Sequence, residues 1–129
     1  MIDPKHLLAL RDRLITDRGS LMLLALAERE GWQGRPELLI AGGGLGSRLL
    51  DDSKYVADVM KQELTMDEIL TLTTFVLVRE ENEWLHQLVE RVRVENGDPV
   101  ELRDVELGDV PVRRALIFHA QPAEVAARA

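Results

Sequence analysis

Apolar and polar positions follow several different patterns along the chain, and each pattern predicts an element. In the first part, leucines recur at helical spacing over residues 4–17, behind Asp3 and Pro4. Aspartate suits a helix N-cap and proline suits the first helical position. In segment 21–30 the apolar residues are contiguous, from Leu21 to Ala27, and form no stripe, so periodicity does not separate a buried helix from a buried strand there. We predict a helix over 4–17 and a buried helix over 21–30, with a buried strand as the less favoured alternative.

The middle of the chain changes pattern twice. Residues 38–41 are continuously apolar and predict a strand, which runs into a glycine-rich segment. Ser47 or Asp52 can cap the third predicted helix that follows. Its apolar positions are Leu49, Val56, Val59, Met60 and Leu64.

The segment from Thr65 to Arg79 carries two conflicting signals. Thr65 and Glu68 have the spacing of a capping box, which predicts a helix that begins at Met66. The threonines, valines and phenylalanine farther along favour a strand. We predict one helical turn followed by a strand over 72–79, and one continuous helix over 66–79 is the alternative.

The last third of the chain predicts a helix and a hairpin. Glu80, Glu81 and Glu83 open a segment with an apolar stripe at i, i+1, i+4, i+5 and i+8, which begins at Trp84. Asn96-Gly97 is expected to terminate this helix. Beyond it, the segments over 100–107 and 110–119 flank Gly108-Asp109, a two-residue connector that predicts an antiparallel hairpin.

Together these elements predict an α+β fold with about four helices and a mixed sheet of about four strands that ends in the C-terminal antiparallel hairpin. Residues 1–121 are expected to form a single domain, and the alanine-rich tail over 122–129 is expected to fray. Trp84 is expected in the core, whereas Trp32, between glycines, is expected to cover the core or to anchor a partner.

The composition narrows the function classes. The 129 residues are 46% hydrophobic and have a formal net charge of −7, which argues against broad binding to nucleic-acid phosphates. The chain has no cysteine, no signal-peptide pattern and no apolar run long enough to span a membrane. We therefore expect a cytoplasmic protein that binds neither nucleic acid nor membrane. Its basic residues are mostly arginine, which suggests a GC-rich bacterial genome.

The glycine-rich segment is the one candidate site. Its candidate ligand-binding residues are Gly43, Gly44, Gly46, Ser47 and Arg48. Glycines let a backbone approach a ligand closely, and the free N–H groups at a helix start attract anions. The segment resembles the Gly-x-Gly-Ser/Thr-Arg-Leu loop of nucleotidyltransferases that act on sugar phosphates. The resemblance implies that the backbone of 43–47 faces phosphate and that Arg48 pairs with it; the alternative is a structural turn.

Other polar groups do not form a known catalytic pattern. His6, His86 and His119 lie far apart and lack the spacing of a zinc site, so we predict no metal and no cofactor. The glutamates over 80–83 fit a solvated helix start. We therefore predict no catalytic residue.

Two functions remain open from the sequence. The first is a non-catalytic interaction or regulatory domain, expected to be a homodimer, since the valine-rich terminal hairpin offers a strand edge for pairing. The alternative is a phosphate- or nucleotide-binding protein that uses the loop over 42–48.

Overall fold

A five-stranded mixed sheet with helices on both faces organises the chain in the computed structural model, which describes residues 2–31, 34–95 and 98–122. The elements in chain order are α1 (Pro4–Arg18), β1 (Leu23–Arg29), β2 (Glu37–Ala41), α2 (Leu49–Glu63), α3 (Met66–Thr71), β3 (Thr74–Val78), α4 (Glu83–Arg91), β4 (Val100–Leu107) and β5 (Val110–Ala120). The predicted α+β class is confirmed, with one strand more than expected.

The strand order is β3-β2-β1-β5-β4, so β3 and β4 are the two edges of the sheet. Strand β3 runs parallel to β2, and the other neighbours are antiparallel. The predicted C-terminal hairpin is confirmed, with Leu107 opposite Val110. Gly108 has a φ of 67° and Asp109 does not have a positive φ, a combination that fits a type II′ turn.

The sheet separates two apolar clusters. On one face, α1 and α2 bury side chains such as Leu10 and Val56 against Leu24 and Ile40 of the sheet. On the other face, Leu85 and Val89 of α4 and Val94 cover the alternate positions of the central strands. One face is thus covered by long helices and the other by a single nine-residue helix.

The prediction of a buried helix over 21–30 is wrong, because this segment contains β1. Successive β1 residues point to opposite faces, and Leu23 and Leu24 belong to different apolar clusters, each fully buried. A central strand covered on both faces needs no polar alternation. The continuous apolar run is therefore the pattern of a strand buried on both sides.

Two helix starts also differ from the predictions. The first residue of α2 is Leu49 and its N-cap is Arg48, which makes no side-chain capping bond, so neither Ser47 nor Asp52 is the N-cap. Leu49, one of the apolar positions assigned to the face of this predicted helix, is exposed. Helix α4 begins at Glu83, after the Asn82 cap, so Glu80 and Glu81 precede the helix.

The predicted turn of helix followed by a strand is confirmed by α3 and β3. The capping box is complete, since Thr65 accepts from the N–H of Glu68 and Glu68 accepts from the N–H of Thr65. The buried Glu68 carboxylate also accepts from the N–H of Asp3 at 2.7 Å and from Nδ1 of His6 at 2.7 Å. Glu68 therefore ties α3 to the start of α1.

This tie predicts a loss of stability in acid. Burial raises the pKa of Glu68, but the N–H groups of Thr65 and Asp3 and the His6 side chain outweigh it and lower the pKa to about 2. Because this pKa lies below the unfolded value of 4.5, the stability that the carboxylate contributes is complete above pH 4.5 and is lost as the pH falls towards 2. Urea unfolding at a series of pH values should show this slope in the wild type and a shallower one in Glu68→Gln. Asp67→Asn, on the exposed neighbour, is the control, and equal slopes in all three proteins would contradict the assignment.

Some predictions fall outside the described residues. These are the placement of Trp32 and the tail beyond Pro122. The expected termination of the last helix at Asn96-Gly97 is wrong, because α4 ends at Arg91 with Val92 as its C-cap, and Val94 already pairs with Ala120. Among the helices that are described, none has the length and apolarity needed to cross a membrane.

Candidate functional site

The glycine-rich loop joins the end of β2 to the start of α2. Gly42, Gly43, Gly44 and Gly46 all have positive φ. A Cβ at Gly42 would lie 2.5 Å from the N atom of Met22, and one at Gly43 would lie 2.7 Å from Cβ of Arg18. At Gly44 a Cβ would meet no atom within 4 Å. Gly42 and Gly43 therefore let the loop pack closely against residues 18–22, whereas Gly44 and Gly46 are required only because their φ angles are positive.

The Asp52 carboxylate occupies the centre of this loop. Asp52 is only 3% exposed, and its Oδ2 atom accepts hydrogen bonds from the N–H groups of Gly46 at 2.9 Å and Arg48 at 3.1 Å. Its Oδ1 atom accepts from Nη2 of Arg18 at 3.1 Å. Burial raises the pKa of Asp52, but these three donors outweigh it and lower the pKa below its usual value. An ionised side chain of the protein itself thus fills the position that an external anion would take.

Three of the five predicted ligand-binding residues have backbone N–H groups that bond within the chain. Those of Gly46 and Arg48 bind Asp52, and that of Ser47 donates to the carbonyl of Gly44 at 3.3 Å. The Ser47 hydroxyl donates to the same carbonyl at 2.7 Å. The Arg48 guanidinium is solvent-exposed and forms no hydrogen bond or ion pair within residues 2–31, 34–95 and 98–122.

Asp52 was predicted from the sequence only as a possible cap of the third helix and not as a loop ligand, although an acidic residue just beyond a glycine-rich loop is the available signal. Its carboxylate reaches back from the first turn of α2 to the loop, and the sequence shows no distance across that turn.

The three buried carboxylates of the described chain all have partners of opposite charge or several donors. Glu37 pairs with Arg29 between β1 and β2, Asp52 pairs with Arg18, and Glu68 binds His6 and two N–H groups. The pKa values of Asp52 and Glu68 are lowered, whereas a general acid or base at neutral pH needs a pKa near 7. By their contacts the three carboxylates link β1 to β2, α1 to α2 and α1 to α3.

The histidines are dispersed. His6 binds Glu68 near the surface, His86 is exposed on α4, and His119 is buried on β5, where its Nε2 donates to the carbonyl of Leu21 at 2.8 Å. Burial lowers the pKa of His119, so this side chain is neutral. In the part of the chain that the structure describes, no three His, Asp or Glu side chains are grouped as metal ligands.

A second surface lies beside the edge strand β3. The large hydrophobic side chains that are exposed in the described chain are Leu49 (62%), Leu50 (88%), Met66 (61%) and Leu70 (69%). They lie at the start of α2 and on α3, the two helices that come before β3 in the chain. We call these four side chains together with strand β3 the β3 side.

The protein has a three-layer α+β fold. The Asp52 carboxylate binds the N–H groups of its glycine-rich loop, and its edge strand β3 carries no charge. Comparison of the chain with protein-family models, with curated protein sequences and with solved structures finds no match. The function is therefore argued from the geometry alone.

Proposed function

We propose that the protein is a non-catalytic interaction domain that forms a homodimer through its β3 side. The observation that carries this proposal is that all four exposed large hydrophobic side chains of the described residues lie on α2 and α3, the two helices that precede the uncharged edge strand β3 in the chain. Contiguous exposed apolar surface marks protein contacts, whereas single exposed apolar residues do not.

The two edges of the sheet differ in a way that favours β3. Edge strands avoid unwanted pairing by carrying charges and irregularities. Strand β4 has both, because Glu101, Arg103 and Glu106 are exposed on it and Asp104, with a φ of 51°, interrupts its pairing with β5. Strand β3 reads Thr-Phe-Val-Leu-Val and carries no charge. The terminal hairpin, which we expected to supply the dimer edge, is therefore the less suitable of the two.

The exposed side chains of α2 and α3 point away from α1. On α2, Tyr55 binds Asp17 of α1 at 2.8 Å, and Leu50 lies on the opposite side of the helix. On α3, Glu68 binds the start of α1, and Met66 and Leu70, one turn apart, lie on the opposite side. Both apolar pairs thus face away from α1.

A two-fold axis at Val76 would bring the β3 strands and the exposed apolar side chains of two copies into one interface. It would pair β3 with the partner's β3 in antiparallel orientation, with Phe75 opposite the partner's Leu77. Gly46, just before α2, lies beside Leu77 and Arg79 at the far end of β3, whereas α3 lies at the near end. The antiparallel arrangement would therefore bring Met66 and Leu70 of one copy to Leu49 and Leu50 of the partner. No like charges would face each other along the strand pair, since Arg79 would lie opposite the partner's Thr73.

Sedimentation velocity at tens of micromolar is expected to give a wild-type dimer and a Leu70→Glu monomer. The exposed Leu70 contributes little to folding, but a carboxylate at the dimer contact would be buried without a partner. Gln87→Glu, which adds the same charge on α4, is the control and should remain dimeric. A wild-type monomer, or a Leu70→Glu dimer of unchanged affinity, would refute the proposal.

Phosphate or nucleotide binding by Gly43, Gly44, Gly46, Ser47 and Arg48 stays a prediction. The exposed Arg48 guanidinium supports it, whereas Asp52 would have to leave the loop donors before phosphate could bind them. Titration calorimetry of the wild type and Arg48→Ala with nucleotides and sugar phosphates, with and without magnesium, separates this function from the first.

A further inference from the structure

A large groove lies between α4 and the edge strand β4, on the opposite end of the sheet from the β3 side. Its volume is about 840 Å³. The helix contributes Trp84, Leu88 and Val92, which are spaced i, i+4, i+8, and the strand contributes Leu102, Val105 and Leu107. All six side chains are partly buried and pack against the second apolar cluster. The floor of the groove is therefore apolar and continuous with the core, whereas polar side chains line the rest of it.

Helix α4 on this face of the sheet is shorter than the helices α1 and α2 on the other face. Helix α4 has nine residues and covers the central strands through Leu85 and Val89, whereas the other face of the sheet carries α1 and α2 of fifteen residues each. Packed helices lie about 8–10 Å apart. One more helix beside α4 would cover the exposed part of β4 and complete the layer.

The rim of the groove is acidic. Glu83, Glu106 and Asp109 line it together with a single basic residue, Arg91. A bound helix with lysine or arginine at its borders would meet opposite charges there, and an acidic helix would be repelled. The net charge of −7 acts in the same direction at longer range.

We propose that the α4–β4 groove binds an amphipathic helix of a partner protein, with an apolar face and basic borders. This inference rests on the proposed interaction function and names the kind of partner. It does not depend on the dimer, because the groove and the β3 side are formed by different elements. The groove is filled by leucine-like side chains of the bound helix, and the acidic rim selects its charge.

The test uses a fluorescein-labelled, amidated peptide of eighteen residues with leucine at i, i+3, i+4 and i+7 positions and lysine and alanine elsewhere. Fluorescence anisotropy is expected to show saturable binding to the full-length protein. A peptide with serine in place of leucine, and one with glutamate in place of lysine, should each bind at least about tenfold more weakly. The serine peptide lacks the apolar face, and the glutamate peptide carries the opposite charge.

Variants of the protein locate the binding. Leu88→Ser and, independently, Val105→Ser are expected to weaken binding at least about tenfold, with circular dichroism confirming that each variant folds. Glu90→Gln, on the exposed side of α4 outside the groove, should bind as the wild type does. The Leu70→Glu protein should also bind normally, so a failed dimer and a failed groove give different results.

Four outcomes would overturn the inference. The leucine–lysine peptide could fail to bind, or bind equally to Leu88→Ser and Val105→Ser, which would indicate general attraction to an acidic protein. Binding that develops only after deletion of residues 123–129 would assign the groove to the chain's own C-terminal segment. Loss of self-association in Leu88→Ser, without peptide binding by the wild type, would assign it to a second copy.

Discussion

Asp52→Ala is expected to lower the free energy of unfolding by about 2–4 kcal/mol, because two loop N–H groups and the partly exposed Arg18 guanidinium lose a charged acceptor. The buried carboxylate accepts two loop N–H groups and one guanidinium N–H, and alanine leaves all three donors without their acceptor. Chemical denaturation followed by circular dichroism measures the change. Asp51→Ala is the matched control, because Asp51 is the exposed neighbour in the same helical turn. Its loss should stay below about 1 kcal/mol.

The Asp52→Ala variant also tests whether the loop N–H groups form an anion site that the Asp52 carboxylate occupies, or only the start of a helix. If the loop donors hold an anion, acetate or phosphate should restore part of the stability of Asp52→Ala and leave Asp51→Ala unchanged. A loss of less than about 1 kcal/mol for Asp52→Ala would mean that the loop donors are satisfied by water. It would also remove the argument that Asp52 competes with phosphate.

Capping residues and intrinsic residue preferences predicted the helices and strands correctly wherever these local preferences agreed with the tertiary environment. The capping box of Thr65 and Glu68 acts within four residues, and the β-branched residues after it suit an edge strand, so α3 and β3 could be predicted. Segment 21–30 is rich in leucine, alanine and glutamate, which favour helices. It is nevertheless a strand, because burial on both sheet faces outweighs intrinsic preference.

The site could be predicted only in part for a similar reason. The glycines mark the loop in the sequence, but the contact between Asp52 and Arg18 joins residues 34 positions apart. Likewise, Leu49 has the helical spacing of a core residue, yet it lies at the exposed start of α2. The periodicity of apolar residues predicts which side of a helix is buried. Whether a given residue on that side is buried also depends on its position along the helix, because the ends of a helix can lie beyond the sheet.

The order of the strands was equally beyond local patterns. Strand β1 pairs with β5, whose residues are about 90 positions later in the chain, and this pairing leaves β3 and β4 as edges. The hairpin expected to pair across a two-fold axis does supply an edge strand. Its exposed charges and its irregularity at Asp104 appear only when the strand is seen beside β5. For this reason we place the proposed dimer contact at β3 and not at β4 of the hairpin.

Gly42→Ala is expected to lower the free energy of unfolding by about 3–5 kcal/mol, from backbone strain and overpacking together. Gly42 has a φ of 115°, and its added Cβ would lie 2.5 Å from the N atom of Met22 and 2.8 Å from Cα of Leu21. Both are backbone atoms, and the N–H of Met22 donates to the carbonyl of Ala41 at 2.8 Å, so relief of the clash would disturb the pairing of β1 with β2.

Gly44→Ala is the matched control for this variant, because Gly44 has a φ of 73° but open space around a Cβ. It should lose only the conformational cost of about 1–2 kcal/mol. The difference between the two variants isolates the close approach of the loop to the start of β1. Equal losses would mean that the glycines are needed for conformation alone, and that the loop has room to move away from Met22. Such a loop could also release Asp52 and admit an external anion, so this pair of variants bears directly on the phosphate alternative.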